Sequence, residues 1–326
     1  MSLVATFIDQ SWPPKPTFTE TDLGDLSGKV TIITGGYSGI GLELTKLLYQ
    51  KNCTVYIAGR RTEEASKVIT TLKSSNPTSK GRLEFLLLDL ADLSTIKTSV
   101  TEFLSKEKRL DILWNNAGVL GAAKGSKSKQ GHDLFLATHC LGPFLLTQLL
   151  HPTLTSTATA SSVGSVRVLW VSSIVTEFSA AKNVMDLDNL DYKKKDETQG
   201  NRYAISKTGN VFIGTEWAKK DFDAGIVHLI VNPGNLKSPL QRNMTSLQRM
   251  ATNPLLREPI NGAYTQIWAG ISPTIQLKDS GRYVLPWGRF GQHPKNMAEY
   301  LNNIKEGPSK AAQFFEFCEK ETRLFL

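Results

Sequence analysis

The sequence predicts an α/β fold, a doubly wound parallel sheet in a single domain. Short apolar runs rich in β-branched residues recur from Lys29 onward, helix-length amphipathic stretches separate them, and a glycine-rich turn follows the first run. Continuous apolar runs, unlike alternating ones, belong to strands buried on both faces. Strand and helix in alternation then place helices on both sides of a parallel sheet.

Taken in order, residues 1–27 stand apart. The cluster Trp12-Pro13-Pro14-Lys15-Pro16 cannot continue a helix, so these residues are expected to form an extended N-terminal arm. Strands are expected at Val30–Ile33, Val55–Ala58, Leu83–Leu88, Ile112–Trp114, Val166–Val171, Ile226–Val231 and, more briefly, Arg282–Leu285. Helices are expected over stretches such as Gly41–Gln50 and Phe135–Leu150. Thr153–Ser165 is nearly all Ser, Thr, Ala and Gly and reads as a mobile loop before the fifth strand. No linker divides the chain, so residues 28–326 form the one domain.

The glycine turn carries the first chemical signal. Gly35-Gly36-Tyr37-Ser38-Gly39-Ile40-Gly41 lies between the first strand and the first core helix. Glycines there permit a tight turn and close approach of backbone to a pyrophosphate, and the helix start offers free amides to phosphate. The second strand then ends in Gly59-Arg60-Arg61, with no acid until Glu63. An acid would bind ribose hydroxyls and repel a 2′-phosphate, whereas the Arg60 guanidinium suits that phosphate, which favours NADP(H) over NAD(H). The alternative is that Arg60 and Arg61 merely end a strand at the surface. Asp89 and Leu90, after the third strand, are placed to meet the adenine edge, and Asp89 also suits a helix N-cap.

Further along, Asn115-Asn116-Ala117-Gly118 follows the fourth strand, Ser172-Ser173 the fifth, and Asn232-Pro233-Gly234 the sixth, with Tyr203-Ala204-Ile205-Ser206-Lys207 between the last two. These motifs, in this order over Gly28–Ser238, resemble the short-chain dehydrogenase/reductase family, and the proline-rich arm and Pro286-Trp287-Gly288-Arg289 are similar to fungal retinol-dehydrogenase-like members. The resemblance implies a Rossmann-type enzyme that moves a hydride between NADP(H) and a carbonyl or secondary alcohol. It makes Ser173, Tyr203 and Lys207 the catalytic residues. It adds Asn116, Ala117, Gly118, Tyr203, Lys207, Pro233, Gly234, Leu236 and Ser238 to the cofactor contacts. Residues 177–201 are then an insertion beside the substrate entrance, and about 239–276 a substrate lid.

The residues give their own reasons. Tyr203 and Lys207 are four apart and share one helix face. A phenol with a pKa of about 10 is a poor base near neutrality, and an adjacent ammonium favours the phenolate. Ser173 would hydrogen-bond the substrate oxygen, while Ser172 points to the opposite side of the strand. One position departs from the family: His139 stands where an active-site Asn is usual. A histidine there could hold a water and relay protons near neutrality, or simply be packed.

Composition narrows the rest. The 38 Lys and Arg against 30 Asp and Glu give a net charge of +8, but the basic residues are scattered, so nucleic acid is not the expected partner. Cys53, Cys140 and Cys318 are far apart, which fits neither a disulfide framework nor a metal site and suits a reducing, cytoplasmic setting. No membrane-spanning stretch and no secretory leader are expected. The expected partner is a small lipophilic carbonyl or alcohol, with a homodimer possible. Two other functions share such a fold: a non-catalytic NADP-binding sensor or scaffold, and a lyase or epimerase.

Overall fold

The computed structural model describes residues 2–178, 185–237, 253–302 and 307–326. Eight strands form one sheet: β1 (Val30–Thr34), β2 (Thr54–Gly59), β3 (Arg82–Leu87), β4 (Ile112–Asn115), β5 (Arg167–Val171), β6 (Val227–Val231), β7 (Tyr283–Leu285) and β8 (Arg289–Gly291). Their order is β3-β2-β1-β4-β5-β6-β7-β8, parallel up to β7, with β8 antiparallel at the edge. The strand β8 carries no apolar run and was not foreseen. It arises because Pro286-Trp287-Gly288 turns the chain back onto β7.

Every residue of β1, β4, β5 and β6 is buried, which is why these strands read as unbroken apolar runs. Successive side chains enter opposite layers: Ile32, Leu113 and Trp170 join one core, while Ile33, Trp114 and Leu169 join the other. The second core is closed by helices α2 (Gly39–Gln50) and α3 (Thr62–Ser75). The first is closed by α4 (Leu93–Lys106) and a long helical stretch made of α5 (Leu134–Leu136), a π turn (Ala137–Leu141) and α6 (Gly142–Thr159).

Four expectations are corrected. The N-terminal arm is not extended throughout: Leu3–Ser11 form helix α1, with Ser2 as its N-cap, and only the proline cluster beyond it is irregular. Thr153–Ser165 is not a mobile loop, because α6 runs on to Thr159. Thr157 and Thr159 return their hydroxyls to Thr153 and Thr155 carbonyls, one turn back, and so tolerate the helix. One helix is, after all, long and apolar enough to cross a membrane: Leu134–Thr159 has a mean hydropathy of 1.3, yet 78% of that window is buried in the protein, as befits a central core helix. The lid reading fails over its second half. After α7 (Val175–Phe178) and α8 (Gln199–Lys220), helix α9 (Pro259–Ile271) sends Ala263, Ile267 and Ala269 into the second core. Residues 239–252 of the expected lid lie outside those described.

The chain ends in α10 (Ala298–Leu301) and α11 (Lys310–Thr322), whose Phe314, Phe315 and Cys318 are buried against α8. At the end of α8, Asp221 is held between two imidazoles, 2.7 Å from His151 Nε2 and 2.7 Å from His228 Nε2. Burial alone would raise the Asp221 carboxyl, but the two hydrogen bonds win and hold it at about 2. The bond to Asp221 in turn raises His151.

A depressed carboxylate contributes stability above its unfolded pKa and loses it as pH falls toward about 2. A raised imidazole contributes below its unfolded value and loses it as pH climbs past the folded one. Asp221→Asn is therefore expected to cost about 3 kcal/mol of folding stability, with the deficit widest between about pH 4 and 6.5. Denaturant melts across pH 3–9 check this, and a deficit that does not vary with pH would contradict it.

Candidate active site

Strand order reverses between β1 and β4, so the loops after these strands diverge and leave a crevice at their carboxyl ends. A cleft of about 230 Å³ lies there. Of the glycine turn, Gly35, Tyr37, Ser38, Gly39, Ile40 and Gly41 line it, and so do Arg60, Asp89, Leu90, Asn116, Ala117 and Gly118.

The cradle is built by steric demand. Gly35 and Gly39 have φ of +72° and +52°, in the left-handed region that favours glycine. A Cβ on Gly41 would run into the Gly35 carbonyl oxygen and come within 2.8 Å of Asn116 Nδ2. Only the bare backbone fits, and helix α2 starts beside it without a side-chain cap from Ser38. That leaves a helix N-terminus facing the cleft, the setting a pyrophosphate requires.

Thr34 closes the floor. Its hydroxyl accepts the backbone N–H groups of Asn116 and Ala117, each at 2.9 Å, while Asn116 Nδ2 donates to the Thr34 carbonyl at 2.9 Å. Gln266 of α9 completes the set by donating to Asn116 Oδ1 at 2.7 Å. Neither Thr34 nor Gln266 was singled out from sequence, because a lone Thr at a strand end and a lone Gln in a helix give no pattern.

At the far end of the cleft, Arg60 Nη1 lies 3.9 Å from Asp89 Oδ1, with its side chain 56% exposed. Arg61 crosses the Tyr37 ring at 5.1 Å and bonds Glu64 at 3.1 Å. Asp89 accepts the Ala91 N–H at 2.9 Å, and the N-cap of α4 is Asp92 instead. Asp89 is thus not a helix cap, since the chain makes a further turn before α4 begins.

A group of polar residues lies next to Gly118, which lines the cleft. Ser172 is buried and its hydroxyl donates to the Lys207 carbonyl at 3.0 Å, so it faces away from the cleft. Ser173 instead hydrogen-bonds the Tyr203 side chain. Lys207 Nζ donates to the Val171 carbonyl at 2.9 Å and lies 5.8 Å from the Tyr203 ring centre. The three residues are brought together as the sequence suggested, but the charge balance differs from expectation. Burial raises the Tyr203 phenol, a rise that the Ser173 bond only partly offsets, and burial pushes the Lys207 ammonium down to about 8. In the protein alone, the ammonium is engaged by a carbonyl and does not bring the phenol toward neutrality.

His139 sits in the π turn, 1% exposed, stacked on Phe135 and edge-on to Tyr203. Its Nε2 accepts the Val119 N–H at 2.9 Å, which places the ring proton on Nδ1, 2.7 Å from Ser206 Oγ. The Ser206 hydroxyl in turn donates to the Tyr203 carbonyl at 2.7 Å. Burial, with Lys207 nearby, pushes the imidazole well below its ordinary value. His139 therefore does not titrate near neutrality as a proton carrier would. It is a neutral bracket that ties the loop after β4 to helix α8.

After β6, Gly234 adopts φ +93° and donates to Asn232 Oδ1 at 3.1 Å. Leu236 is buried and pairs with Arg257 through the backbone, with its side chain beside Ile40 and Gly262. Ser238 lies outside the described residues. At the end of the expected insertion of residues 177–201, Arg202 bonds Asp133 at 2.9 Å and Asp196 at 2.7 Å while stacking on Tyr192.

Comparison with known proteins agrees with this geometry. Residues 29–185 match the short chain dehydrogenase family. A short-chain dehydrogenase/reductase of Phomopsis amygdali is 42% identical over 324 residues, covering 97% of this chain and 96% of that one. The short-chain dehydrogenase/reductase pkfC of Emericella nidulans is 45% identical over 280 residues, covering 85% and 89%. Among solved structures, the Pseudomonas aeruginosa RhlG/NADP active-site complex shares the fold with a TM-score of 0.63 at 24% identity, covering 83% of this chain and 97% of that one. A 3-ketoacyl-(acyl-carrier-protein) reductase from Brucella melitensis complexed with NADH does so with a TM-score of 0.60 at 20% identity, covering 80% and 97%.

Removing the acceptor at residue 139 strands the Val119 N–H, so His139→Phe is expected to cost roughly 1–3 kcal/mol of stability. In the wild-type protein, the His139 ring signals followed by NMR should stay those of the neutral form across the range in which a free imidazole titrates, about pH 6–7. A midpoint between pH 6 and 7 would overturn the bracket.

Proposed function

The chain belongs to the short-chain dehydrogenase/reductase family, and within it we propose that it uses NADP(H) to exchange a hydride with a carbonyl or secondary alcohol of a lipophilic small molecule. The carrying observation is the convergence of Ser173, Tyr203 and Lys207 next to Gly118, which lines a glycine-walled cleft that also presents Arg60 and Arg61. The cradle fits a dinucleotide because Gly35 takes a left-handed φ of +72° and Gly41 has no room for a side chain, so bare backbone lies where a pyrophosphate must approach. When bound, the nicotinamide supplies or accepts the hydride, and its positive charge in the oxidised form favours a phenolate at Tyr203.

The chain's own residues do the rest. The Ser173 hydroxyl donates to the substrate oxygen, where negative charge collects as hydride arrives. Tyr203 then hands its phenolic proton to that oxygen, or takes one in the oxidative direction. Lys207, held by the Val171 carbonyl with its Nζ 5.8 Å from the Tyr203 ring centre, would help to hold the cofactor and, as an ammonium, would favour the phenolate. Ser206 and His139 fix the backbone of α8 from behind Tyr203.

The preference for NADP(H) rests on Arg60 and Arg61. Two carboxylates lie near them: Asp89, 3.9 Å from Arg60 and already bonded to the Ala91 amide, and Glu64, which bonds Arg61 at 3.1 Å. A 2′-phosphate beside the half-exposed Arg60 guanidinium would meet a charge-assisted donor at the end of β2, where an NAD-type site would carry a carboxylate in the chain itself. A lipophilic substrate is favoured by the rings of Phe7, Trp12 and Phe178, which cluster at 5.9–6.1 Å beside the segment that follows Ser173. With NADPH the working direction is reduction. The three cysteines are all free and buried, in keeping with a cytoplasmic setting.

Tryptophan quenching by NADPH and NADH tests the cofactor. Tight NADPH binding that weakens tenfold to a hundredfold in Arg60→Ala, with NADH little changed, is expected. Tyr203→Phe should keep that binding and lose at least a hundredfold in carbonyl turnover. Failure of the wild-type protein to bind either nucleotide would remove the proposal.

A further inference from the structure

The N-terminal helix ends inside the site. Gln10 is 3% exposed and Asn232, at the end of β6, is 1% exposed. Gln10 Oε1 accepts from Asn232 Nδ2 at 2.7 Å, and Gln10 Nε2 donates to Glu177 Oε1 at 2.8 Å. Asn232 Oδ1 accepts the Gly234 N–H at 3.1 Å. Four groups thus form one directed chain, Gly234 to Asn232 to Gln10 to Glu177, with every donor pointing the same way. One end is the loop assigned to the nicotinamide. The other lies on α7, whose Thr176 and Glu177 both bond back to the turn opened by Ser173 and Ile174.

Helix α1 is itself pinned to the body. Ser11 Oγ accepts from Asn235 Nδ2 at 3.1 Å, and Arg289 Nη2 donates to the Asp9 carbonyl and to its carboxylate, at 3.1 Å and 2.6 Å. A buried side-chain amide spanning two loops is worth having only if both its ends are matched, since a half-satisfied network costs more than an apolar contact. Glu177 is raised by its burial, against the bond from Gln10, so the carboxylate depends on that donor.

We propose that Gln10 is a positioning residue, a clamp supplied by the N-terminal helix that sets the nicotinamide loop at Gly234 against the catalytic loop at Ser173. The inference rests on the NADP(H) reading. It makes α1 part of the active site, although no residue of α1 belongs to the sequence motifs that mark the cofactor or the chemistry.

The test is a pair of titrations, with NADPH and with adenosine 2′,5′-bisphosphate, which carries the 2′-phosphate but no nicotinamide. In Gln10→Glu the new carboxylate still accepts from Asn232 but faces Glu177 with like charge and no donor. NADPH affinity should fall roughly tenfold at pH 8, and the bisphosphate should stay within twofold. Below about pH 6 the two carboxylates can share a proton, and the NADPH deficit should shrink. In Gln10→Glu combined with Glu177→Gln, the amide introduced at 177 donates to the carboxylate introduced at 10, the chain is rebuilt, and NADPH affinity should return to within about twofold of wild type. If Gln10→Glu does not fold, Gln10→Met removes both bonds without charge and should show the same split between the two nucleotides.

Equal affinity of wild type and Gln10→Glu for NADPH, in folded protein, overturns the clamp. So does a double variant with no recovery. If wild type binds neither probe, the cofactor reading fails and the clamp falls with it. If wild type binds both and the variants match it, the clamp alone is wrong.

Discussion

Where β1 and β4 part company, one threonine hydroxyl holds the molecule's working end together. Thr34 Oγ1 receives the amides of Asn116 and Ala117 just as the two strands stop pairing. Parallel strands leave their last amides without a partner in the sheet, and buried amides must be satisfied by something. Here that duty falls to a side chain, and the geometry of the cleft follows from it. Asn116 is set against the Thr34 carbonyl, Gly41 must lack a side chain to pass it, and Gln266 is drawn in from the helix beneath. The next turn of that loop, at Val119, is tied by His139 to the helix that carries Tyr203 and Lys207.

The same logic explains why the reactive end is so heavily buried. Lys207 is 4% exposed and Ser206 1%, which fixes their geometry but works against charge. Burial alone opposes both a phenolate at Tyr203 and an ammonium at Lys207. The site is therefore arranged to be completed by a cationic ligand beside the phenol and a polar ligand beside the ammonium. An oxidised dinucleotide has both properties.

The legibility of this protein varies by element in a physically sensible way. Strands β1, β4, β5 and β6 were visible because double-sided burial imposes an unbroken apolar run. The glycine turn was visible because sterics leave few choices at Gly35 and Gly41. Helix α1 was missed, since the prolines at 13, 14 and 16 dominated the reading of a segment whose helix ends just before them. The end of α6 was missed because its threonines, polar in composition, satisfy their hydroxyls on the preceding turn. Helix α9 looked like a lid because Met and aromatic residues in the lid stretch suit a pocket as well as a core, and only packing distinguishes the two.

What the sequence determined by itself was the set of local and repeating constraints: the parallel sheet, the glycine cradle, the four-residue spacing of Tyr203 and Lys207, and the opposite facing of Ser172 and Ser173. Each is dictated by periodicity or by the sterics of a few adjacent residues. What only the tertiary structure decided was every relation between distant residues. It made His139 a neutral bracket, since its two partners come from positions 119 and 206. It turned Lys207 toward the Val171 carbonyl. It brought Gln10 between Asn232 and Glu177, 222 and 167 residues away. Hydrogen bonds between isolated polar residues leave no period in the chain, because their cost and their benefit appear only once the fold has removed the water.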